Sequence, residues 1–189
     1  MKAAVVCANE DVRYMDYEEP QVTPGTVKVK VKASGICGSD IPRVLQNGVH
    51  FYPIVLGHEF SGDVVEVGEG VTSVKVGDRV SGAPLVPCMK CDDCQKGNFS
   101  LCKHYSFIGS RQQGSNADYV VIPEQNAVVY DPCIPYEQAA MFEPSTLRST
   151  AYTRTSIRAA AMWRSWAAAP LACLRCNGPR SSDPGSGGF

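Results

Sequence analysis

Four closely spaced cysteines constrain the fold of this 189-residue chain more than any other feature. They follow the pattern C-x2-C-x2-C-x7-C, in which each two-residue spacing lets two thiolates converge from one tight turn. Four soft thiolates that leave no open coordination position are typical of a structural zinc site. An iron–sulfur cluster and a redox C-x-x-C motif use similar cysteines and stay open as alternatives. The predicted structural zinc ligands are Cys88, Cys91, Cys94 and Cys102.

The remaining cysteine usage also favours metal binding over disulfides. Nine cysteines are an odd number, and the first residues, MKAAVVCANEDVRYMDYEEP, turn acidic after a short apolar stretch, unlike a secretory signal. Free thiols and metal ligands are typical of a reducing compartment. We therefore expect a cytoplasmic location.

Charge is divided unevenly along the chain. Residues 1–146 hold 12 Lys and Arg against 18 Asp and Glu, whereas residues 147–189 hold six Arg and one acidic residue. The net charge of −1 argues against a strongly basic nucleic-acid-binding protein, and no apolar run approaches the roughly 18 residues of a membrane span. We expect neither nucleic acid nor a membrane as a partner, and an RNA or DNA role for the Arg-rich end is the weakest alternative.

The hydrophobic pattern of residues 1–146 predicts a mainly β fold, either a barrel or a sandwich. Residues 26–32 alternate strictly, which places three Val on one face of a strand and three Lys on the other. Helix signals are limited to residues 39–45 and 135–142. Further strands are predicted at residues 2–7, 60–67, 71–76, 117–122 and 127–130.

A second set of possible metal ligands lies in three short motifs. Cys37 belongs to GICGSD, His58 and Glu59 belong to GHEFSG, and Glu143 belongs to FEP. A thiolate, an imidazole and a carboxylate can hold zinc while leaving a position for water or substrate. Adjacent side chains point apart in an extended strand, so His58 and Glu59 can share a metal only at a bend; otherwise one of them orients a ligand. The spacing alone leaves both possibilities open, together with a structural role for His58.

These motifs, in this order, resemble the zinc-containing medium-chain alcohol dehydrogenases, and within them the polyol branch. The resemblance covers residues 1–146 and implies a GroES-like barrel with a four-cysteine zinc lobe. In that family a Rossmann domain that binds NAD(P) follows the barrel. The implied partner is a small-molecule polyol or polyol phosphate, and intact relatives are expected to be homo-oligomers.

The same resemblance implies roles for individual residues. Cys37, His58 and Glu59 would hold a catalytic zinc, and Glu143 would be a fourth, exchangeable ligand. Ser39, in GICGSD, would begin the proton relay from the substrate hydroxyl. The four cysteines would hold the structural zinc.

No dinucleotide fingerprint G-x-G-x-x-G occurs in the 189 residues, and residues 151–172 follow neither helical nor strand periodicity. A shifted reading frame from residue 147 permits a strand, a G-G-G-T-I-G turn and a helix, so we hypothesise a frameshift near residues 146–147 that the coding DNA would reveal. We interpret residues 147–189 as an aberrant, disordered tail without a stable domain or cofactor-binding residues. On this interpretation residues 1–146 are a catalytic half that is inactive in this chain; the alternative is a stand-alone zinc-binding β module that acts by protein contact.

Overall fold

The computed structural model describes residues 1–146, and for them the prediction of a mainly β fold is confirmed. The strands are β1 (Lys2–Ala8), β2 (Asp11–Asp16), β3 (Thr26–Gly35), β4 (Ile54–Val55), β5 (Glu59–Val67), β6 (Arg79–Gly82), β7 (Leu85–Val86), β8 (Ser106–Phe107), β9 (Tyr119–Pro123) and β10 (Ala127–Val129). The α-helices are α1 (Asp40–Pro42), α2 (Asp92–Gln95) and α3 (Tyr136–Ala140); a π-helical turn spans Arg43–Asn47, and 3-10 turns span Phe99–Leu101 and Glu124–Asn126.

The described strands form three antiparallel sheets, and the five-stranded sheet positions the candidate site. Its strand order is β10-β6-β5-β3-β9, beside the sheets β2-β1-β4 and β7-β8. Strands β3 and β5 pair along most of their lengths, from Val27 opposite Val67 to Gly35 opposite Glu59. Two register irregularities in this pairing add local twist, which helps the sheet to curl. The register brings the chain that follows β3 next to the start of β5.

The main hydrophobic core includes residues from four of the five strands of this sheet. Phe60 at the start of β5 is fully buried, and a side chain at Gly82 of the neighbouring strand would overlap its ring. Burying a large apolar side chain of this kind contributes roughly 1.5–3 kcal/mol. The buried members of this core are Val27, Val29, Phe60, Val64, Val74, Val80, Ile108, Val120 and Ile122.

Lys28 departs from the simple alternation predicted for β3. Its side chain is buried, and its ammonium group lies 2.8 Å from a carboxylate oxygen of Glu66 and 3.1 Å from one of Glu19. Glu66 lies directly opposite Lys28 in the β3–β5 register. These two carboxylates raise the pKa of Lys28 and hold it in the charged form. A lysine on the predicted polar face is therefore covered by an ion-pair network.

The strand predicted over residues 71–76 is wrong. The backbone N–H groups of Thr72 and Ser73 donate to the Glu124 carboxylate, and the Gly77 N–H donates to the Val64 carbonyl at 2.8 Å, so the segment folds as a loop. The three valines of this segment favour a strand, but the segment does not pair in a ladder. The other predicted strands are present with small shifts at their ends. The strands that were not predicted are β2, β4, β6, β7 and β8.

Both predicted helices are present but shorter than expected. Residues 39–45 divide between α1 and the π-helical turn, and residues 135–142 contain α3. Across the described part of the chain, no helix has the length and apolar character that crossing a membrane requires. The predictions for residues 147–189 lie outside the described residues.

Candidate metal centres

The first candidate centre is the four-cysteine lobe, residues 88–102. Met89, in the left-handed region at φ 59°, helps to form the tight turn after Cys88. The sulfurs of Cys88 and Cys94 are 4.0 Å apart, as are those of Cys91 and Cys102. All four sulfurs lie within 4.8 Å of one another, and all four cysteines are free thiols. A tetrahedral zinc with bonds of about 2.3 Å would place its sulfurs about 3.8 Å apart, so a small contraction fits the lobe to zinc.

The surroundings of these thiols shift their pKa values in opposite directions. The backbone N–H groups of Lys90 and Cys91 lower the pKa of Cys88 to about 6, whereas burial raises that of Cys94 to about 12. A metal-bound cysteine is a thiolate. Cys88 is therefore in the ligand form at neutral pH, and Cys94 needs a cation beside it to hold a charge while buried.

The second candidate centre is assembled from the ends of two strands. Cys37 follows β3 by two residues, His58 directly precedes β5, and Glu59 is the first residue of β5. One possible ligand atom from each of these three side chains lies within 4.8 Å of the other two. His58 and Glu59 are 3% and 7% exposed, and a side chain at Gly35 would meet the Glu59 carboxylate. The structure thus brings together three of the four ligands that the resemblance implies for the catalytic zinc.

Three glycines from separate segments hold the backbone in front of His58. Gly57 has φ 98°, a conformation that favours glycine, and it supplies the bend that lets His58 and Glu59 face one site. A side chain at Gly109 or Gly114 would overlap the carbonyl oxygen of Gly57. The Ser115 N–H donates to the same oxygen at 3.0 Å. The position of His58 therefore depends on a backbone-to-backbone contact that only glycine allows.

Asp40, which the sequence motifs left unassigned, lies behind His58. Its Oδ2 is 3.9 Å from His58 Nδ1, and neither buried atom has a hydrogen-bond partner within residues 1–146. Its Oδ1 accepts a hydrogen bond from Arg43 at 3.0 Å. A carboxylate behind a ligating histidine commonly fixes which ring nitrogen faces the metal. The available sequence signal was its place in the same motif as Cys37.

Ser39 contacts one of the candidate ligands of this centre, whereas Glu143 lies in a neighbouring cavity. The Ser39 hydroxyl donates to the Cys37 sulfur at 3.3 Å and lies 3.4 Å from the Arg43 guanidinium, so Ser39 lies beside the candidate ligands. Glu143 is outside the group of three and lines a neighbouring cavity of about 650 Å³. Phe107 lines the same cavity and packs edge-on against the His58 ring, with centroids 5.4 Å apart. The structure thus places Glu143 close to the centre but does not group it with the other three side chains.

The charges around the second centre favour a cation. Burial raises the pKa of Cys37 and lowers that of His58. Burial, followed by the charge of Glu59, raises the pKa of Glu143. These groups crowd acidic side chains into a desolvated site, which favours their neutral forms. A divalent cation among them would reverse that preference and stabilise the thiolate and the carboxylates.

Comparison with known proteins identifies the family of the segment that holds both candidate centres. Residues 23–132 match the family described as the alcohol dehydrogenase GroES-like domain. The chain is 43% identical over 148 residues to galactitol 1-phosphate 5-dehydrogenase of Escherichia coli K12, covering 78% of this chain and 43% of the relative. The crystal structure of galactitol-1-phosphate dehydrogenase from Escherichia coli is similar with a TM-score of 0.78 and 42% identity, covering 81% of this chain and 44% of that one.

A further solved structure carries a nicotinamide cofactor. It is a short chain alcohol dehydrogenase from E. coli CFT073 complexed with NADH, with a TM-score of 0.77 and 34% identity, covering 82% of this chain and 46% of that one. This chain spans less than half the length of the relatives it matches. The matched part contains both candidate metal centres. The chain therefore belongs to the alcohol dehydrogenase GroES-like domain family, in the polyol branch of the zinc-containing medium-chain alcohol dehydrogenases, a family that binds zinc and whose members use NAD(P).

Proposed function

We propose that residues 1–146 are the zinc-carrying catalytic half of a dehydrogenase that oxidises a secondary alcohol group of a sugar alcohol, or of its phosphate, with NAD(P). The observation that carries this proposal is the convergence of Cys37, His58 and Glu59 within 4.8 Å. A thiolate, an imidazole and a carboxylate with space beside them suit a catalytic zinc, whereas the closed four-cysteine lobe suits a structural zinc. The matched E. coli relative is named for a polyol phosphate, which supports this substrate class.

Each side chain of the second centre has a proposed task. Cys37 and Glu59 would hold zinc directly, and His58 would hold it through Nε2 because Nδ1 faces the Asp40 carboxylate. Glu143, in the adjoining cavity, is the exchangeable fourth ligand. Zinc bound there is a Lewis acid that lowers the pKa of an alcohol hydroxyl.

Ser39 would accept the proton that the substrate hydroxyl releases and, in the same step, give its own hydroxyl proton to the solvent to which it is exposed. Its Oγ lies 3.3 Å from the Cys37 sulfur, so it is beside the position that the reacting hydroxyl must approach. A serine hydroxyl both donates and accepts, which allows it to pass the proton onward. Phe107, packed against His58, gives the substrate cavity an apolar wall that limits water access.

The chain itself is expected to show no turnover with a polyol and NAD(P). Hydride transfer needs a nicotinamide ring held against the substrate, and the 189 residues contain no dinucleotide fingerprint. Turnover by the purified chain comparable with that of a full-length relative would contradict this expectation.

Metal analysis of the purified chain tests the proposal directly. We expect two zinc ions per chain, and one in the Cys37→Ala variant with the lobe zinc retained. Cys7→Ala is the matched control, because Cys7 is a half-buried cysteine away from both centres. One zinc ion in the unaltered chain would contradict the catalytic centre and would instead favour a stand-alone zinc-binding module.

A further inference from the structure

A small polar pocket lies beside the second centre. Its volume is about 180 Å³, room for a small anion with a few water molecules rather than for a nucleotide. The lining residues contribute a guanidinium, a carboxamide, an imidazole and a hydroxyl group, and none of them is acidic. They are Arg43, Asn47, Gly48, Val49, His50 and Ser110.

The π-helical turn places two of these side chains in the pocket wall. Arg43 and Asn47 are the first and last residues of this turn, and side chains four residues apart lie on the same side of a helical turn. Gly48, at φ 72°, ends the turn and sends the chain toward His50. The fold thus gathers donors from the turn and from the segment that follows it.

Arg43 links this pocket to the second centre. One guanidinium nitrogen lies 3.0 Å from Asp40 and 3.4 Å from the Ser39 hydroxyl, and Ser39 in turn contacts the Cys37 sulfur. Arginine has five N–H donors. Within residues 1–146 the hydrogen bonds of Arg43 use only its Nη1 atom, which leaves Nε and Nη2 for a ligand.

Ser110 forms the opposite part of the pocket wall. The residue is 5% exposed, and within the described residues no protein group forms a hydrogen bond with its hydroxyl. Its hydroxyl belongs to the pocket wall, where a ligand or water can supply a partner. His50 adds an exposed imidazole on the solvent side.

We propose that this pocket binds the phosphate group of a polyol phosphate substrate, with Arg43 as the principal anion-binding residue. The inference rests on the proposed function, since the substrate alcohol must reach the second centre while its phosphate occupies the pocket. Guanidinium groups suit phosphate because several N–H donors meet its oxygens at once. The pocket therefore selects a phosphorylated polyol over the free polyol.

Arg111 offers a matched comparison within the same chain. Its guanidinium stacks on the Tyr105 ring at 4.4 Å from the centroid, and it does not line the pocket. A general attraction of positive charge for phosphate would involve both arginines. A built subsite would involve Arg43 alone.

The test is a nuclear magnetic resonance titration of the zinc-loaded, full 189-residue chain with a hexitol and with the same hexitol carrying a terminal phosphate. We expect the phosphate to bind at least about tenfold more tightly and to shift the amide signals of Gly48 and Ser110. Arg43→Gln should abolish that preference, and Arg111→Gln should keep it. Equal affinities for the two ligands, or equal losses in the two variants, would overturn the proposal.

Further variants keep the test decisive if Arg43→Gln disturbs Asp40 and lowers the zinc content. His50→Ala and Asn47→Ala remove pocket donors that contact neither candidate ligands nor Asp40, and each should weaken phosphate binding severalfold at unchanged zinc content. Unchanged binding in both would contradict the subsite.

Inorganic phosphate separates failure of the subsite from failure of the proposed function. In the Cys37→Ala chain, which should lack the second zinc, phosphate should still shift the Gly48 and Ser110 signals. Persistence of these shifts supports the pocket whether or not the unaltered chain holds two zinc ions. Loss of binding together with the metal would place the phosphate on the zinc and overturn the subsite.

Discussion

The two candidate metal centres are built in opposite ways. The four-cysteine lobe takes all its ligands from one run of 15 residues, whereas the second centre joins ligands from the ends of β3 and β5 that are about 20 residues apart. The lobe has little apolar core of its own, since Met89, Phe99 and Leu101 are 45%, 41% and 61% exposed. The second centre lies on a sheet whose core includes the fully buried Phe60. The lobe should thus depend on its metal for its structure, whereas the second centre depends on the sheet.

Loss of one lobe ligand should have the largest effect on structure. A structural zinc supplies about 10–16 kcal/mol of binding free energy to a small cysteine site, so Cys94→Ser should lose that zinc and the order of the lobe. Trypsin should then cleave the chain at the exposed Lys90 and Lys96, while the far-ultraviolet circular dichroism of the sheet persists. Cys133→Ser, at an exposed cysteine, is the control. If the lobe lost its zinc and still resisted trypsin, its structure would not depend on the metal, and the proposed difference between the two centres would be contradicted.

A substitution in the core of the sheet should affect the second centre and leave the lobe intact. Phe60→Ala should lower the free energy of unfolding by about 3–5 kcal/mol, because it empties the space above Gly82. The second centre should lose zinc with the sheet, and the lobe should keep its own zinc. Urea unfolding and metal analysis measure both, with the exposed Val76→Ala as control. Equal zinc loss from both centres would show that they are structurally coupled.

Removing the carboxylate behind His58 should weaken one centre selectively. Asp40→Asn should lower the zinc affinity of the second centre by about 10–100-fold, because the imidazole loses the group that orients it. Competition with a chelator measures this affinity, and Asp92→Asn in the lobe serves as the matched control. No change in Asp40→Asn would exclude a positioning role for Asp40.

The smallest effect is a difference in thiol chemistry in the metal-free chain. Alkylation requires the thiolate, and the metal-free lobe should lose its order, so Cys88 should react with iodoacetamide as an ordinary accessible thiol. Burial raises the pKa of Cys37 above its ordinary value, so Cys37 should stay protonated and slow until the solution is alkaline. Mass spectrometry of alkylated peptides across a pH series gives the two profiles. If Cys88 and Cys37 were alkylated with the same pH dependence, the predicted difference between the two thiols would be contradicted.

The same contrast explains how much of the site could be predicted from the sequence. The lobe could be identified from spacing, because its ligands converge through local turns. The convergence of His58 and Glu59 could not, because it depends on the β3–β5 register and on the bend at Gly57. The position of Asp40 depends likewise on how the short helix after Cys37 packs.

The fold class followed from alternating apolar residues, but individual elements followed less well. The valine-rich residues 71–76 form a loop, because Glu124 and Val64 accept backbone hydrogen bonds that a ladder would have used. Lys28 can be buried because Glu66, on the neighbouring strand β5, lies opposite it and pairs with its ammonium group. Both outcomes depend on residues distant in sequence, which periodicity within one segment does not report.

The glycine contact in front of His58 has a consequence for the engineering of this scaffold. Since Gly57, Gly109 and Gly114 meet through their main chains, no rotamer change can absorb an added methyl group at the two approaching positions. A mutant library aimed at new substrates can vary Asn47 and His50, at the cost of the proposed phosphate binding, but must hold these three glycines constant. The backbone one residue before His58 is therefore the part of this region that tolerates substitution least.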